Sequence, residues 1–359
     1  MKPSFDRFDQ VLAGFAIGDA ISHEALELQR VFTGLGCSST IFVEDGRIGP
    51  EMATRCRPLS QYDPSASGGV LLHYSIGSRA TEAYLAARAR KVMRYHNITP
   101  AEFYRGYDDE LARRLSEARE RLREVAVASD GIWAVSRFNA DELRMAGAGR
   151  ADVLPLLFSG AQFEGEPDSD ILARFDRRGG LKNILFVGRM APNKRVEDLI
   201  SMFAWYNREI NPYSRLLLVG SERSCPAYYS MLRLWAGCLG LANACFQGFA
   251  TEAGLRAYYR VADLFVCASD HEGYCLPLLE AMHHGVPVLA KARGAVPDTM
   301  GCGGLTYDEL NAAQLAGLTA CVLEDADLHA RVLATQAERL RALRARDAAA
   351  EISALLASL

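Results

Sequence analysis

No stretch of this 359-residue chain reaches the roughly 18 consecutive apolar residues that a bilayer span needs. The opening residues, MKPSFDRFDQ, lack the charged, apolar and small-residue regions of a secretion signal. No two of the nine cysteines stand at C-x-x-C spacing and their number is odd, so neither a zinc ribbon nor a full disulfide framework is indicated. Charge of one sign is scarce too: 40 Lys and Arg stand against 44 Asp and Glu, a net of −4. A general nucleic-acid binder needs many uncompensated cations, so that class is excluded. There is no P-loop, and no G-x-G-x-x-G between a strand and a helix, which removes the main support for nucleoside-triphosphate and dinucleotide sites. These absences predict a cytosolic protein with no nucleic acid among its partners.

Half of the residues are hydrophobic, enough to exclude intrinsic disorder. At about 100–200 residues per domain, two domains are expected. Short apolar runs alternate with longer amphipathic stretches, the βα rhythm of parallel sheets. In the first half the pattern predicts strands over 11–15, 40–43, 70–73, 91–95, 132–135 and 153–157, with helices over 24–35 and 101–126 among those between them. In the second half it predicts strands over 183–187, 215–219, 244–246, 264–267 and 286–290, with helices over 196–209 and 226–239. Residues 159–180 hold Gly, Pro, Asp and Ser with little periodic apolar content and read as a linker. The predicted domains are therefore 1–158 and 181–335, followed by a C-terminal helix over 336–359. Ligands of open parallel sheets bind outside the carboxyl ends of the strands, so the chemistry should sit just after strands.

The most informative segment runs from Cys267 through H-E-G-Y-C-L-P-L-L-E to Glu280 and on to G-V-P-V. A buried strand ends near Cys267, a glycine-bearing loop follows, and Pro277 suits the first turn of a helix. The amides of Tyr274, Cys275 and Leu276 would then lie at a helix N-terminus, where anions bind. Glu280, one turn inside, is suited to accept hydrogen bonds from ribose hydroxyls, and Glu272 could do the same for a sugar. Glu280 could equally be a first-turn acid favoured by the helix dipole. Standing on a loop and a first turn, both glutamates are expected to be replaceable with little loss of stability. A second segment, G-R-M-A-P-N-K, places Arg189 directly after a strand and Lys194 at the start of the next helix. Two cations at that edge could neutralise a diphosphate, or be ordinary solvated charges.

Glu272 and Glu280, with seven residues between them, match the E-x7-E motif of retaining GT-B glycosyltransferases, and the surrounding wording resembles glycosyltransferase family 4. The G-R-x-x-x-x-K run over 188–194 and the G-A-V-P-D run over 294–298 resemble that family as well. The resemblance is dense from 183 to 307 and thin before that. It implies two Rossmann-like α/β domains facing across a cleft, with the C-terminal helical region packing back on the first. It also implies retaining transfer of a hexose from a GDP- or UDP-linked sugar to a saccharide or lipid-linked saccharide, in bacterial polysaccharide or glycolipid assembly. Arg189, Lys194 and the loop Gly273, Tyr274, Cys275 and Leu276 would hold the diphosphate without a metal ion or other cofactor, Glu280 the ribose and Glu272 the donor sugar. Gly18 would stand in the loop facing the donor phosphates, although Asp19 replaces the second glycine of many relatives. His96 would orient sugar or acceptor, and Asp19, Tyr74 and Ser75 are acceptor-side candidates. A peripheral contact with the inner face of a membrane would suit a lipid-linked acceptor. The same donor half would also serve a GT-B epimerase or phosphorylase, or a non-catalytic nucleotide-sugar-binding protein.

Other patterns carry less. Asp168-Ser-Asp170 has metal-binding D-x-D spacing but lies in the expected linker, and Asn97-Ile-Thr99 is a glycosylation sequon without a route to secretion. His283 and His284 are adjacent on a helix, so they face different directions. Residues 110–124 balance Arg against Glu, as on a solvated helix.

Overall fold

The computed structural model describes residues 5–158, 160 and 163–359; residues 1–4, 159, 161 and 162 lie outside them, the last three within the expected linker. The chain divides into two compact units. The first holds residues up to Glu102, Glu110–Leu157 and Arg346–Leu359, and the second holds Phe103–Asp109 and Phe158–Ala345.

In the first unit, β1 (Phe8–Leu12), β2 (Ile41–Val43), β3 (Arg57–Pro58), β4 (Gly69–Tyr74), β5 (Arg90–Tyr95), β6 (Gly131–Ala134) and β7 (Asp152–Val153) form one sheet. It is parallel throughout, in the order β3-β2-β1-β4-β5-β6-β7. Central parallel strands are covered on both faces, and every residue of β1 and β4 is buried. Phe8, Phe32, Leu71 and Trp133 pack with Ile352 and Leu356 of the C-terminal helix Ala348–Ala357, so that helix is part of this unit's core. The longer helix before it, Ala326–Arg344, belongs to the second unit.

The second unit carries β8 (Lys182–Val187), β9 (Ser214–Val219), β10 (Ala244–Gly248), β11 (Leu264–Cys267), β12 (Val288–Lys291) and β13 (Leu305–Tyr307). They too are parallel, in the order β10-β9-β8-β11-β12-β13. Both sheets are doubly wound, with strand order reversing between β1 and β4 in one and between β8 and β11 in the other. In open sheets of this kind, ligand sites lie beyond the carboxyl ends of the strands on either side of such a reversal.

Several elements differ from the sequence expectation. The first strand lies three residues earlier, and the short β3 and β13 appear where no strand was expected. The expected helix over 101–126 is a turn followed by the helices Asp109–Glu120 and Leu122–Val127. Within 159–180 the helix Ser169–Arg174 packs against the helix Glu252–Val261 and so belongs to the second unit. Asp168 caps it, accepting from the amides of Asp170 and Ile171 at 3.0 Å. Arg113 lies between Glu110 and Glu117 on an exposed helix, the balanced surface the sequence suggested. Among the described residues no helix is long and apolar enough to cross a membrane.

Candidate functional site

In the second unit, the loops after β8 and β11 are stitched together. Gly188 follows β8, and its carbonyl oxygen would lie 1.8 Å from a Cβ on Gly220, so only glycine lets the loops after β8 and β9 approach this closely. Arg189 comes next and is exposed. Asn193 accepts from the Asp270 amide with its carbonyl at 3.0 Å and donates its side-chain amide to the His271 carbonyl at 3.0 Å. Lys194 Nζ then reaches Glu272 Oε1 at 2.6 Å, across 78 residues of sequence. Both side chains are largely buried, at 14% and 7% exposure. Burial pulls the Lys194 ammonium down, yet Glu272 more than offsets it, leaving a net rise despite the nearby Arg189. Burial likewise pushes the Glu272 carboxyl up, and Lys194 reverses that to a net fall. The pair is therefore ionised, and Glu272 is less replaceable than its loop position suggested.

The loop after β12 carries the backbone of Glu272. The Ala295 amide donates to the Glu272 carbonyl at 2.9 Å, and a Cβ on Gly294, at φ +56°, would lie 2.7 Å from that same oxygen. This is the structural part played by the 294–298 motif. Gly294→Ala is expected to destabilise the second unit by about 1–3 kcal/mol, through a positive φ and a backbone clash, as read by chemical denaturation.

Cys275 sits in the left-handed region at φ +67°, just before the helix Leu276–His283, with Pro277 in its first turn. The amides of Cys275 and Leu276 have no carbonyl partner among the described residues, while Tyr274 is buried and its carbonyl accepts from Thr299 Oγ1. Glu280 is half-buried, one turn further on, and accepts from Tyr259 Oη at 2.7 Å. Burial outweighs that hydrogen bond and pushes its carboxyl up to about 7. Only two other non-glycine residues have positive φ among those described, Arg195 and Asn97, which directly follow Lys194 and His96. Strained backbone of this kind costs energy and concentrates at functional loops.

In the first unit, His96 follows β5 and lies in a polar cluster. Its Nε2 is 2.8 Å from His73 Nδ1 and 3.4 Å from Glu24 Oε2. Arg94, fully buried, grips the Glu24 carboxylate and donates to the Leu154 carbonyl at 2.5 Å. Sequence reasoning passed over Glu24 and Arg94, since one reads as an ordinary helix acid and the other as a strand-end cation; only the fold shows them paired.

Other first-unit candidates lie elsewhere than expected. Tyr74 is fully buried in β4 and its hydroxyl donates to the Ala118 carbonyl at 2.7 Å, so it is a core residue and offers nothing to an acceptor. Ser75 is half-buried just beyond it. Gly18 and Asp19 are exposed, and the Asp19 carboxylate accepts from the Ser22 amide at 2.8 Å, capping the helix Ala20–Gly34. That helix end thus already carries an internal anion, which disfavours the diphosphate contact expected of Gly18. The Asn97 side chain is buried and donates to Asn139 at 3.0 Å, so the sequon is not open to modification. Among the described residues, two groups bring potential metal-ligand atoms within 4.8 Å of one another, Cys267 with Glu272 and Cys275, and Glu24 with His73 and His96. In each, a cation already holds the carboxylate.

Two doubly wound parallel units, with a carboxylate–lysine pair and an uncommitted helix end at one switch point, make this a GT-B protein. Residues 169–339 match the model of the Glycosyl transferases group 1 family. The chain is 30% identical over 198 residues to the GDP-mannose-dependent alpha-(1-6)-phosphatidylinositol monomannoside mannosyltransferase of Mycolicibacterium smegmatis, covering 52% of this chain and 50% of that one. It is 32% identical over 120 residues to the Escherichia coli serotype-specific mannosyltransferase WbdA, covering 33% of this chain and 14% of the other. The chain thus spans less than two thirds of the length of these curated relatives. Among solved structures, sucrose-phosphate synthase from Thermosynechococcus elongatus superposes with a TM-score of 0.75 at 19% identity, covering 97% of this chain and 98% of that one. Anabaena HepE in complex with UDP-glucose gives 0.70 at 18% identity over 98% and 100% of the two chains. At these identities the likeness is one of fold.

Proposed function

We propose that the chain transfers a hexose, with retention at the anomeric carbon, from a GDP- or UDP-linked sugar to a saccharide or lipid-linked saccharide acceptor, reached by peripheral contact with a membrane where the acceptor is lipid-linked. The observation that carries this reading is the β8/β11 switch point. There exposed Arg189, the Lys194–Glu272 pair, the uncommitted amides of Cys275 and Leu276, and Glu280 stand on the segments that follow these two adjacent strands. Cations and amides fixed in place before the reaction stabilise charge developing on a departing diphosphate without reorganisation. Glu280 binds the ribose, Glu272 meets the sugar while orienting Lys194, and the departing phosphate takes the acceptor proton. The GDP-mannose and UDP-glucose in the names of the mannosyltransferase and of the HepE complex support the donor class.

Thermal-shift screening against GDP, UDP and their hexose conjugates tests the reading. A ligand at a hundred times its dissociation constant adds about 2.7 kcal/mol of stability. No shift with any of them would refute it. Because Arg189, Lys194 and the loop amides supply the positive charge, transfer is expected to survive EDTA. Complete loss in EDTA, restored by magnesium or manganese, would overturn the metal-free site.

A further inference from the structure

Gln10 on β1, His73 on β4 and His96 after β5 form one hydrogen-bonded chain across three neighbouring strands. The positions of its protons follow from its fixed end. The Ala25 carbonyl can only accept, so the Gln10 atom 2.9 Å from it is the amide nitrogen. The Gln10 oxygen therefore faces His73 Nε2, at 2.8 Å, and it too can only accept. His73 must carry its proton on Nε2. Burial, reinforced by the Arg94 guanidinium, pushes the His73 pKa down to about 3, so at neutral pH its Nδ1 is bare. His96 Nε2, 2.8 Å away, must then be the donor.

A second contact fits the same arrangement. Glu24 Oε2 lies 3.4 Å from that same His96 nitrogen; burial pushes the Glu24 carboxyl up while Arg94 pulls it back, and in its ionised form it can only accept. Burial, with His73 and Arg94 adding to it, holds His96 well below the usual histidine range, so the ring is neutral. Its remaining nitrogen, Nδ1, keeps its lone pair and has no partner among the described residues.

We propose that Gln10 and His73 are positioning residues that lock His96 in the Nε2–H tautomer, so that its Nδ1 accepts a hydrogen bond from a sugar hydroxyl. This rests on the glycosyl-transfer reading and sharpens it. A neutral ring presenting a lone pair selects hydroxyl donors and repels phosphate oxygens. His96 then serves the sugar ring or acceptor, and contributes nothing to diphosphate binding.

Nitrogen NMR of the full chain labelled on its seven histidines, with His96 assigned by loss of its signals in His96→Gln, tests this directly. The wild-type protein at neutral pH should show His96 neutral, protonated on Nε2 and bare on Nδ1. A protonated Nδ1, in the other tautomer or in an imidazolium, would overturn the proposal without any functional variant having to fold. Gln10→Leu frees the far end of the chain, so His96 should then populate both tautomers; an unchanged tautomer overturns the relay. Addition of UDP-glucose or GDP-mannose should shift the wild-type Nδ1 signal. In Gln10→Leu, turnover should fall about tenfold, the worth of one hydrogen bond, with KM for the nucleotide sugar nearly unchanged. If a sugar nucleotide binds and Nδ1 moves neither with it nor on further addition of a saccharide acceptor, this proposal fails while the glycosyl-transfer reading stands. If neither sugar nucleotide binds, that reading fails and the hydroxyl role of His96 falls with it.

Discussion

Glu272→Ala is expected to cost about 3–5 kcal/mol of stability, because it leaves the Lys194 ammonium buried without its counter-charge. The sign of the pH dependence distinguishes this from simple loss of packing. In the wild type the pair holds the Lys194 pKa up and the Glu272 pKa down, so its contribution is lost only at the extremes: as pH falls through the lowered glutamate pKa, or rises through the raised lysine pKa. Without Glu272, burial, the largest influence on Lys194, is joined by Arg189 and opposed only by Cys275, so its pKa is depressed. The unfolded chain then holds that proton more tightly than the folded one, so stability rises with pH, and the deficit should be largest in mildly acid solution and shrink under alkaline conditions. Adding Lys194→Met should recover much of the loss, since an apolar replacement of both partners is often neutral. A nucleoside diphosphate can also supply the missing negative charge, so its affinity for Glu272→Ala should hold or improve while transfer collapses. Denaturation across pH together with calorimetry reads all of this. Nucleotide affinity falling in step with turnover would mean that Glu272 meets the nucleotide itself.

That pairing shows where sequence reading stops. Glu272, Arg189 and Lys194 were each legible as residues just after strands, because a parallel sheet sends its functional loops to one edge. Which of them touch was not legible, because the Lys194–Glu272 contact depends on strand order and not on spacing. The first strand was placed three residues late for a related reason. Its polar Asp9 and Gln10 hide a fully buried strand from any apolar count, although Asp9 is held by Arg7 at 2.5 Å and Gln10 by Ala25 and His73. Tyr74 was misread in the opposite sense. A tyrosine at a strand end looks available, but β4 is central and its hydroxyl finds a carbonyl inside the unit. The D-x-D spacing at 168–170 reduced to a helix cap, which the neighbouring apolar residues could have suggested.

Glu280→Gln should make the protein more stable and a worse binder at once. A carboxyl raised from 4.5 to about 7 belongs to a folded state that favours the protonated form. Between those values the folded chain binds the proton more tightly than the unfolded one, so the wild type loses stability as pH rises through the window. Gln mimics the protonated acid and can still accept from Tyr259, so it escapes that loss. The variant should match the wild type near pH 5 and exceed it by about 1–3 kcal/mol near pH 8, the lower figure allowing for solvent at a half-buried site. If Glu280 were only a first-turn acid serving the helix dipole, removing its charge would lower stability, the opposite sign. Binding supplies the second test. Ribose hydroxyls donate best to the ionised form, and a hydrogen bond to a charged group is worth about 1.5–3 kcal/mol. Nucleoside-diphosphate affinity should therefore fall by about 10- to 150-fold in Glu280→Gln. In the wild type that affinity should climb as pH passes about 7, and the variant should lose this dependence. Calorimetry at two pH values on both proteins measures it, and a variant that binds the nucleotide as tightly as the wild type at the higher pH would remove Glu280 from the ribose site.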